Sequence, residues 1–194
     1  MQFLAALTLP GFASATAYSI AAFAPGTVID GASMQAAGSG FYTGISGPAT
    51  YCPENSGKCP EVHGTLVYDG MTGMAVEVHG GQEIYVDPTG LVKYTVAHSA
   101  YIPNGAFIGG WFHQTIVDDC GPETQVEVLN FLANDGSNFG GLSLCPDIPD
   151  YLNNTGASYA LYAKTESFNL TDCIDAIGLS LIGSDSDYGC WQYE

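Results

Sequence analysis

The stretch "HGGQEIYVDPTGLVKYTVAHSAYIP", residues 79–103, admits two readings, and the choice between them decides the fold. Its two histidines, double glycine, carboxylates and hydroxyl-rich tail could form the wall of an active site. The same residues could form a β-hairpin that is polar on one face. Here "EIYV" and "LVKYT" flank "DPTG", a turn with Asp first, Pro second and Gly last. Those are type I preferences, with Gly90 free to take positive φ and form a bulge. Ile84 and Val86 alternate with Glu83, Tyr85 and Asp87, so the carboxylates fall on the outward face. Gly80-Gly81 would end the preceding strand, as Gly109-Gly110 and Gly140-Gly141 could kink theirs. The hairpin reading prevails.

The same pattern extends outward. In "MAVEVH" the residues Met74, Val76 and Val78 share one face and Ala75, Glu77 and His79 the other, the period of a half-buried strand. Further candidate strands are "YSIAAF", "GFYTG", "GTLVYD", "FIGGWFHQTIV", "QVEVLNF", "GLSL", "SYALYAK", "AIGLSLIG" and "CWQYE". Polar turns recur roughly every eight to twelve residues, the spacing of an all-β sandwich or barrel. The sole helical expectation is a short turn near "LTDCIDA", capped by Thr171 or Asp172. The fold class expected is all-β: one compact antiparallel β-barrel or β-sandwich of about ten short strands, stapled by disulfides.

The chain has 194 residues, enough for one domain with its own core. Only 12% of residues are charged, and three lysines face twenty acids for a net charge of −17. That surface repels phosphate backbones and anionic lipid, which excludes nucleic-acid binding. The apolar fraction of 46% argues against disorder. The opening "MQFLAALTLPGFASATA" is an apolar run followed by small residues, with Ala13-Ser14-Ala15 and Ala15-Thr16-Ala17 both fitting signal-peptidase cleavage. Residues 1–17 read as a secretory signal peptide and 18–194 as a single all-β domain. No second apolar segment follows, so membrane insertion is not expected.

The secretory route is oxidising, so the six cysteines read as bridges. They are Cys52, Cys59, Cys120, Cys145, Cys173 and Cys190. Sequence alone does not choose among the pairings, although the Pro and Gly between Cys52 and Cys59 favour a local bridge. Zinc ligation there lacks the short spacing and the second pair that such sites use. Asn153 in "NNT" and Asn169 in "NLT" are candidate glycan acceptors.

No constellation carries chemistry convincingly. "HGGQ" resembles an esterase oxyanion loop, but "GISGP" is not the G-x-S-x-G elbow that such an enzyme requires. Asp118, Asp119, Glu123, Glu127 and Asp135 form the densest acidic region, the raw material of a glycosidase pair. Solvated charges that keep a secreted protein soluble explain them as well. "DSD" at 185–187 lacks a calcium-loop pattern. The histidines His63, His79, His98 and His113 show no H-x-H or H-x₃-H spacing, and structural or surface imidazoles are the simpler reading. The expectation is no catalytic, cofactor or metal residue. An exposed row among the plentiful aromatics could stack on sugar rings.

Six segments together resemble one family of small secreted proteins from filamentous fungi. They are "ATYCPENSGKCP", "MAVEVHGGQEIYVDPTGLVKYTVAHSAYIPNGAFIGGW", "LCP", "YALYAK", "NLTDCIDAIGLSL" and the terminal "WQY". The family is that of the IgE-binding or PhiA-like cell-wall proteins, and Val76 to Gly110 is the most specific block. The resemblance implies a secreted, all-β, disulfide-bonded and often glycosylated protein of the cell wall or culture fluid, with no assigned enzymatic activity. It links the chain to wall and conidiophore development, allergen-like recognition and effector roles. The partners expected are cell-wall polysaccharide or a host protein, and a homodimer is compatible. The family pattern keeps the cysteines matching Cys52, Cys59, Cys145 and Cys173, with Cys120 and Cys190 as additions. It therefore implies the bridges Cys52–Cys59, Cys145–Cys173 and Cys120–Cys190. The rival class is a carbohydrate-binding or weakly carbohydrate-active protein.

Overall fold

In the computed structural model, which describes residues 16–117, 125–152 and 157–194, the chain forms fourteen short strands. In order they are β1 (Ala17–Phe23), β2 (Gln35–Ala37), β3 (Gly40–Thr43), β4 (Thr50–Tyr51), β5 (Val67–Tyr68), β6 (Ile84–Val86) and β7 (Val92–Tyr94). There follow β8 (Trp111–Val117), β9 (Gln125–Phe131), β10 (Leu142–Cys145), β11 (Tyr159–Ala163), β12 (Ile174–Ala176), β13 (Gly178–Gly183) and β14 (Gln192–Tyr193). Among the described residues there is no α-helix, only 3₁₀ turns at 54–56, 69–71 and 150–152.

The strands assemble into a five-stranded sheet, β5-β1-β13-β9-β8, and a seven-stranded sheet, β12-β10-β11-β3-β7-β6 with β2 beside β3. A third, two-stranded piece pairs β14 with β4. Each larger sheet is an open row of strands whose ends do not pair with each other, so neither closes into a barrel. One hydrophobic cluster joins them: Ile20, Leu129 and Leu179 from the first sheet meet Phe41, Val86, Tyr94 and Leu161 from the second.

The hairpin at 83–95 is present. Ile84 pairs with Tyr94, Tyr85 with Lys93 and Val86 with Val92. The Gly90 amide donates to the Asp87 carbonyl (2.8 Å), and the Thr89 amide and hydroxyl both donate to Asp87 Oδ1. Gly90 has φ 101°, and a side chain there would drive into the Ala163 carbonyl of β11.

Three segments depart from their expected form. "MAVEVH" buries Met74, Val76 and Val78, as its period predicts, but Ala75, expected on the other face, is buried too, in a small cluster with Ala17 and Leu66. It forms only isolated bridges, because its amides are shared among separate segments: Met74 donates to Gln82, Ala75 to Leu66, Glu77 to Cys190 and Val78 to Trp191. "AIGLSLIG" contributes to two strands in different sheets. Ala176 ends β12 beside β10, and after Ile177 the chain crosses to the other sheet, where Gly178 leaves room for Val128. The helical turn near Thr171 is absent. Asp172 takes a left-handed φ of 61°, which interrupts a helix, and β12 begins at Ile174.

Two expected bridges form. Cys52–Cys59 spans a 3₁₀ turn, and Cys145–Cys173 ties β10 to the residue preceding its neighbour β12. In the chain-entropy model the loops they close stabilise by on the order of 2.5 and 3.6 kcal/mol. For the expected Cys120–Cys190 bridge, only one partner is described. Cys190 is a free thiol, 1% exposed in the central cluster, where burial pushes its pKa up to about 12. Cys120 lies outside the described residues, between β8 and β9 ends that reach exposed Val117 and Gln125. Asn153 also lies outside the described residues, whereas Asn169 is exposed. At the other end Ala17 is buried within β1, and its carbonyl accepts the Ser184 amide, so the sheet uses a residue that the expected signal boundary would remove.

Two outcomes follow from this architecture. Gly90→Val should lower unfolding free energy in denaturant titrations by at least ~1 kcal/mol, since positive φ and the Ala163 carbonyl both oppose a β-branched side chain. Cys190 should resist alkylation in the native protein and react fully once unfolded, read by intact mass with and without denaturant; native labelling of Cys190 would contradict the buried placement.

Candidate functional site

Folding the hairpin places its two flanks side by side. The incoming flank carries Gly80, Gly81 and Glu83, and the outgoing flank carries Thr95, His98, Ser99 and Ala100. Together they line an open cleft of about 290 Å³. Glu83 and Thr95 form its floor as a cross-strand pair: the Thr95 amide donates to the Glu83 carbonyl (2.9 Å), and the Glu83 amide donates to Thr95 Oγ1 (3.0 Å). Residues 96–99 then turn, with the Ser99 amide on the Val96 carbonyl (3.0 Å).

His98 occupies this turn at φ 63°, a left-handed conformation that a side chain with a Cβ adopts at a cost of about 1 kcal/mol. Gly80 and Gly81 also take positive φ, at 91° and 65°, and a Cβ at either would have no neighbour within 4 Å. Their conformation, rather than close packing, requires glycine, and it leaves bare backbone on one wall. Ser99 Oγ accepts the Tyr101 amide (3.2 Å), which fixes the start of the next segment. Tyr101 is 74% exposed, close behind the cleft wall. Its charge, with burial first and Asp87 second, contributes to raising the pKa of neighbouring Tyr85. Among the described residues no hydrogen bond or ion pair engages the Glu83 carboxylate or the His98 ring.

The four histidines do not converge. His98 lines the cleft, and exposed His79 stands one residue outside it. His63 borders a separate open hollow with Ser184, Asp185 and Ser186. His113, on β8, bridges two carboxylates: Nε2 lies 2.9 Å from Asp69 Oδ1 and Nδ1 lies 2.9 Å from Glu127 Oε1. Sequence reasoning missed this clip because Asp69 is 44 residues from His113, and only the docking of the 69–71 turn against β8 joins them. Of the acidic region, Asp118, Asp119 and Glu123 lie outside the described residues. Glu127 is engaged by His113, and Asp135 caps its own turn through Ser137, whose side-chain hydrogen bond first and amide second hold its pKa below the usual carboxylate range. Among the described residues no three His, Cys, Asp or Glu side chains are grouped to hold a metal.

The sequence had singled out 79–103, yet it made Glu83 an outward charge and gave Ser99 and Thr95 no role. Their meeting depends on the turn at 96–99, for which the sequence carries no Gly or Pro signal.

An all-β scaffold with disulfides and a shallow polar cleft defines a class of extracellular protein, and comparison with known proteins narrows it. The model of the PhiA-like secreted protein family matches residues 18–176. An uncharacterized secreted protein of Arthroderma benhamiae is 33% identical over 176 residues, covering 85% of this chain and 79% of that protein. No solved structure matches. The chain belongs to the PhiA-like secreted protein family, and it is a secreted protein. Among the described residues no helix is long and apolar enough to cross a membrane.

The strained turn offers a direct check. His98→Gly should leave the fold intact and raise unfolding free energy by about 0.5–1 kcal/mol, because relief of left-handed strain outweighs the entropy that glycine adds to the unfolded chain. A loss of stability would show that the His98 ring is held by contacts rather than by its backbone.

Proposed function

We propose that this protein is a non-catalytic component of the fungal cell wall or its surroundings, acting in wall and conidiophore development or at a host surface. It works by binding an extracellular ligand through the 80–100 cleft. The observation that carries this reading is the convergence of Glu83, His98 and Ser99 on one open cavity. A side chain kept in a costly backbone conformation beside an accessible cavity is the pattern of a recognition site. Membership of a secreted family supports an extracellular ligand.

Binding rather than turnover is supported by how the reactive groups are arranged. Ser99 Oγ accepts the Tyr101 amide and is not hydrogen-bonded to His98, so the contact that would activate a nucleophile is not made. Asp69 and Glu127, the carboxylates brought closest to a shared partner, have the His113 ring between them, where a glycosidase would place its substrate. The exposed Tyr101 beside polar groups favours a carbohydrate as the form the ligand takes.

The test uses the secreted protein and isolated fungal wall material. Wild type should co-sediment with walls, and Ala100→Trp, which fills the cleft from an exposed position, should remain soluble after the same incubation. Equal retention of both proteins would remove the cleft from the reading. Release of reducing sugar by wild type, lost in Glu83→Gln, would overturn the non-catalytic assignment.

A further inference from the structure

Resting on the reading of the cleft as a binding site, the chemistry of its walls narrows the ligand. Its polar groups are a carboxylate on Glu83, hydroxyls on Thr95 and Ser99, and an imidazole on His98. No lysine lines it, and the whole chain offers three lysines against twenty acids. Anionic ligands are repelled both locally and by the overall field, and cations are drawn in. A carboxylate only accepts, so Glu83 calls for a donor, and the strongest complement is a charged N–H.

Shape restricts the ligand further. A volume of about 290 Å³ lies at the small end of ligand pockets and suits one sugar ring rather than a buried chain. The cleft is open, so a unit inside a longer polymer can enter and leave it. Bare backbone at Gly80 and Gly81 admits the ring closely, since nothing stands within 4 Å of where their side chains would be. Val96, 62% exposed, and Tyr101, 74% exposed, follow the lining residues Thr95 and Ala100 in the chain, so exposed apolar surface adjoins the cleft residues in sequence.

We propose that the cleft between Gly80–Gly81 and His98–Ser99 is a subsite for an amine-bearing sugar, a hexosamine unit whose amino group is free and protonated. Glu83 accepts from the ammonium, and Ser99, Thr95 and His98 exchange hydrogen bonds with ring hydroxyls. Neutral sugars lack the charged contact, an N-acetylated unit replaces it with a neutral amide, and uronic acids are repelled.

The experiment titrates the purified full-length secreted protein with four probes by calorimetry and amide NMR. These are a tetramer of β-linked glucosamine, its fully N-acetylated counterpart, a neutral β-glucan tetramer and tetralysine. The glucosamine tetramer should bind about tenfold tighter than either other sugar, the scale of one charge-assisted hydrogen bond. Shift changes should centre on Gly80, Gly81, Glu83, His98 and Ser99. In Glu83→Gln, an exposed substitution, the three sugars should bind alike. Tetralysine should bind more weakly than the glucosamine tetramer, because it has no ring for the cleft. Equal affinity of wild type for the three sugars would overturn the proposal, as would a preference that survives Glu83→Gln. Tetralysine matching the amino sugar would reduce the site to unspecific charge and overturn it too. If Ala100→Trp abolishes wall retention while the amino sugar shows no preference, the binding cleft stands and its assignment to amino sugars falls. If walls retain neither protein, the cleft reading itself falls.

Discussion

A single buried amide ties the hairpin at 83–95 to the C-terminal strand β14. Gln82, 2% exposed, donates from Nε2 to the carbonyls of Thr95 (2.9 Å) and Tyr193 (3.0 Å), and its Oε1 accepts the Tyr193 amide (2.8 Å). The Tyr193 hydroxyl then donates to the Gly64 carbonyl (2.7 Å) and accepts the Leu66 amide (2.9 Å). Tyr94 donates its hydroxyl to the Glu194 carbonyl (3.0 Å), and its ring meets the Tyr193 ring edge-on at 6.2 Å. A satisfied bond of this kind contributes only about 1 kcal/mol net, but each group left unpaired in the core costs about 1–3 kcal/mol. The network therefore specifies one arrangement more than it adds stability. β14 either docks in register against the hairpin or strands several buried polar groups. Burial also raises the pKa of Tyr94 and Tyr193 well above the ordinary phenol value, so both hydroxyls keep the protons they donate.

That constraint reaches the cleft directly. Gln82 lies between Gly81 and Glu83, and its bond to the Thr95 carbonyl fixes the opposite wall at the same level. Residues 80–83 and 95–99 are thus set by core bonds beneath them, while their outward atoms stay free for a ligand. The strain at His98 persists because both sides of its turn are anchored, by Thr95 on Glu83 and by Ser99 on Tyr101. Without those anchors a residue with a Cβ would relax out of the left-handed region.

What the sequence made legible was local. The Asp87–Gly90 turn, the inward placement of Ile84 and Val86, and the Cys52–Cys59 loop depend on neighbours within ten residues and have the expected form, although Tyr85, expected on the outward face, is buried as well. What it concealed was tertiary. The break at Ile177 is invisible to periodicity, because both halves of "AIGLSLIG" alternate as a single strand would while pairing in different sheets. Gln82 reads as a surface residue by type, and only its three side-chain hydrogen bonds, two of them to a residue 111 positions away, make it a core residue. The cleft lay half in view: the stretch was conspicuous by composition, yet the turn that opposes His98 to Glu83 has no sequence signature. The cysteines misled for a related reason. Counting predicts pairs, but Cys190 is a small apolar residue in this core, and Val76 bridges to its backbone rather than to its sulfur.

Covalent and polar restraint act on different segments of the chain. Cys145–Cys173 staples β10 and β12, the edge of the seven-stranded sheet farthest from β6. Cys52–Cys59 closes a surface loop directly after β4, the strand that pairs with β14. Neither bridge touches the cleft, whose shape rests on the hairpin register and on Gln82. Disulfides act mainly on the unfolded chain, by limiting its entropy, and do not set side-chain positions to fractions of an ångström. Directional hydrogen bonds to a buried amide do set them. The two described bridges limit the unfolded chain, and one polar network holds a strained turn in place, so the two restraints are complementary on a secreted scaffold whose described residues form no α-helix.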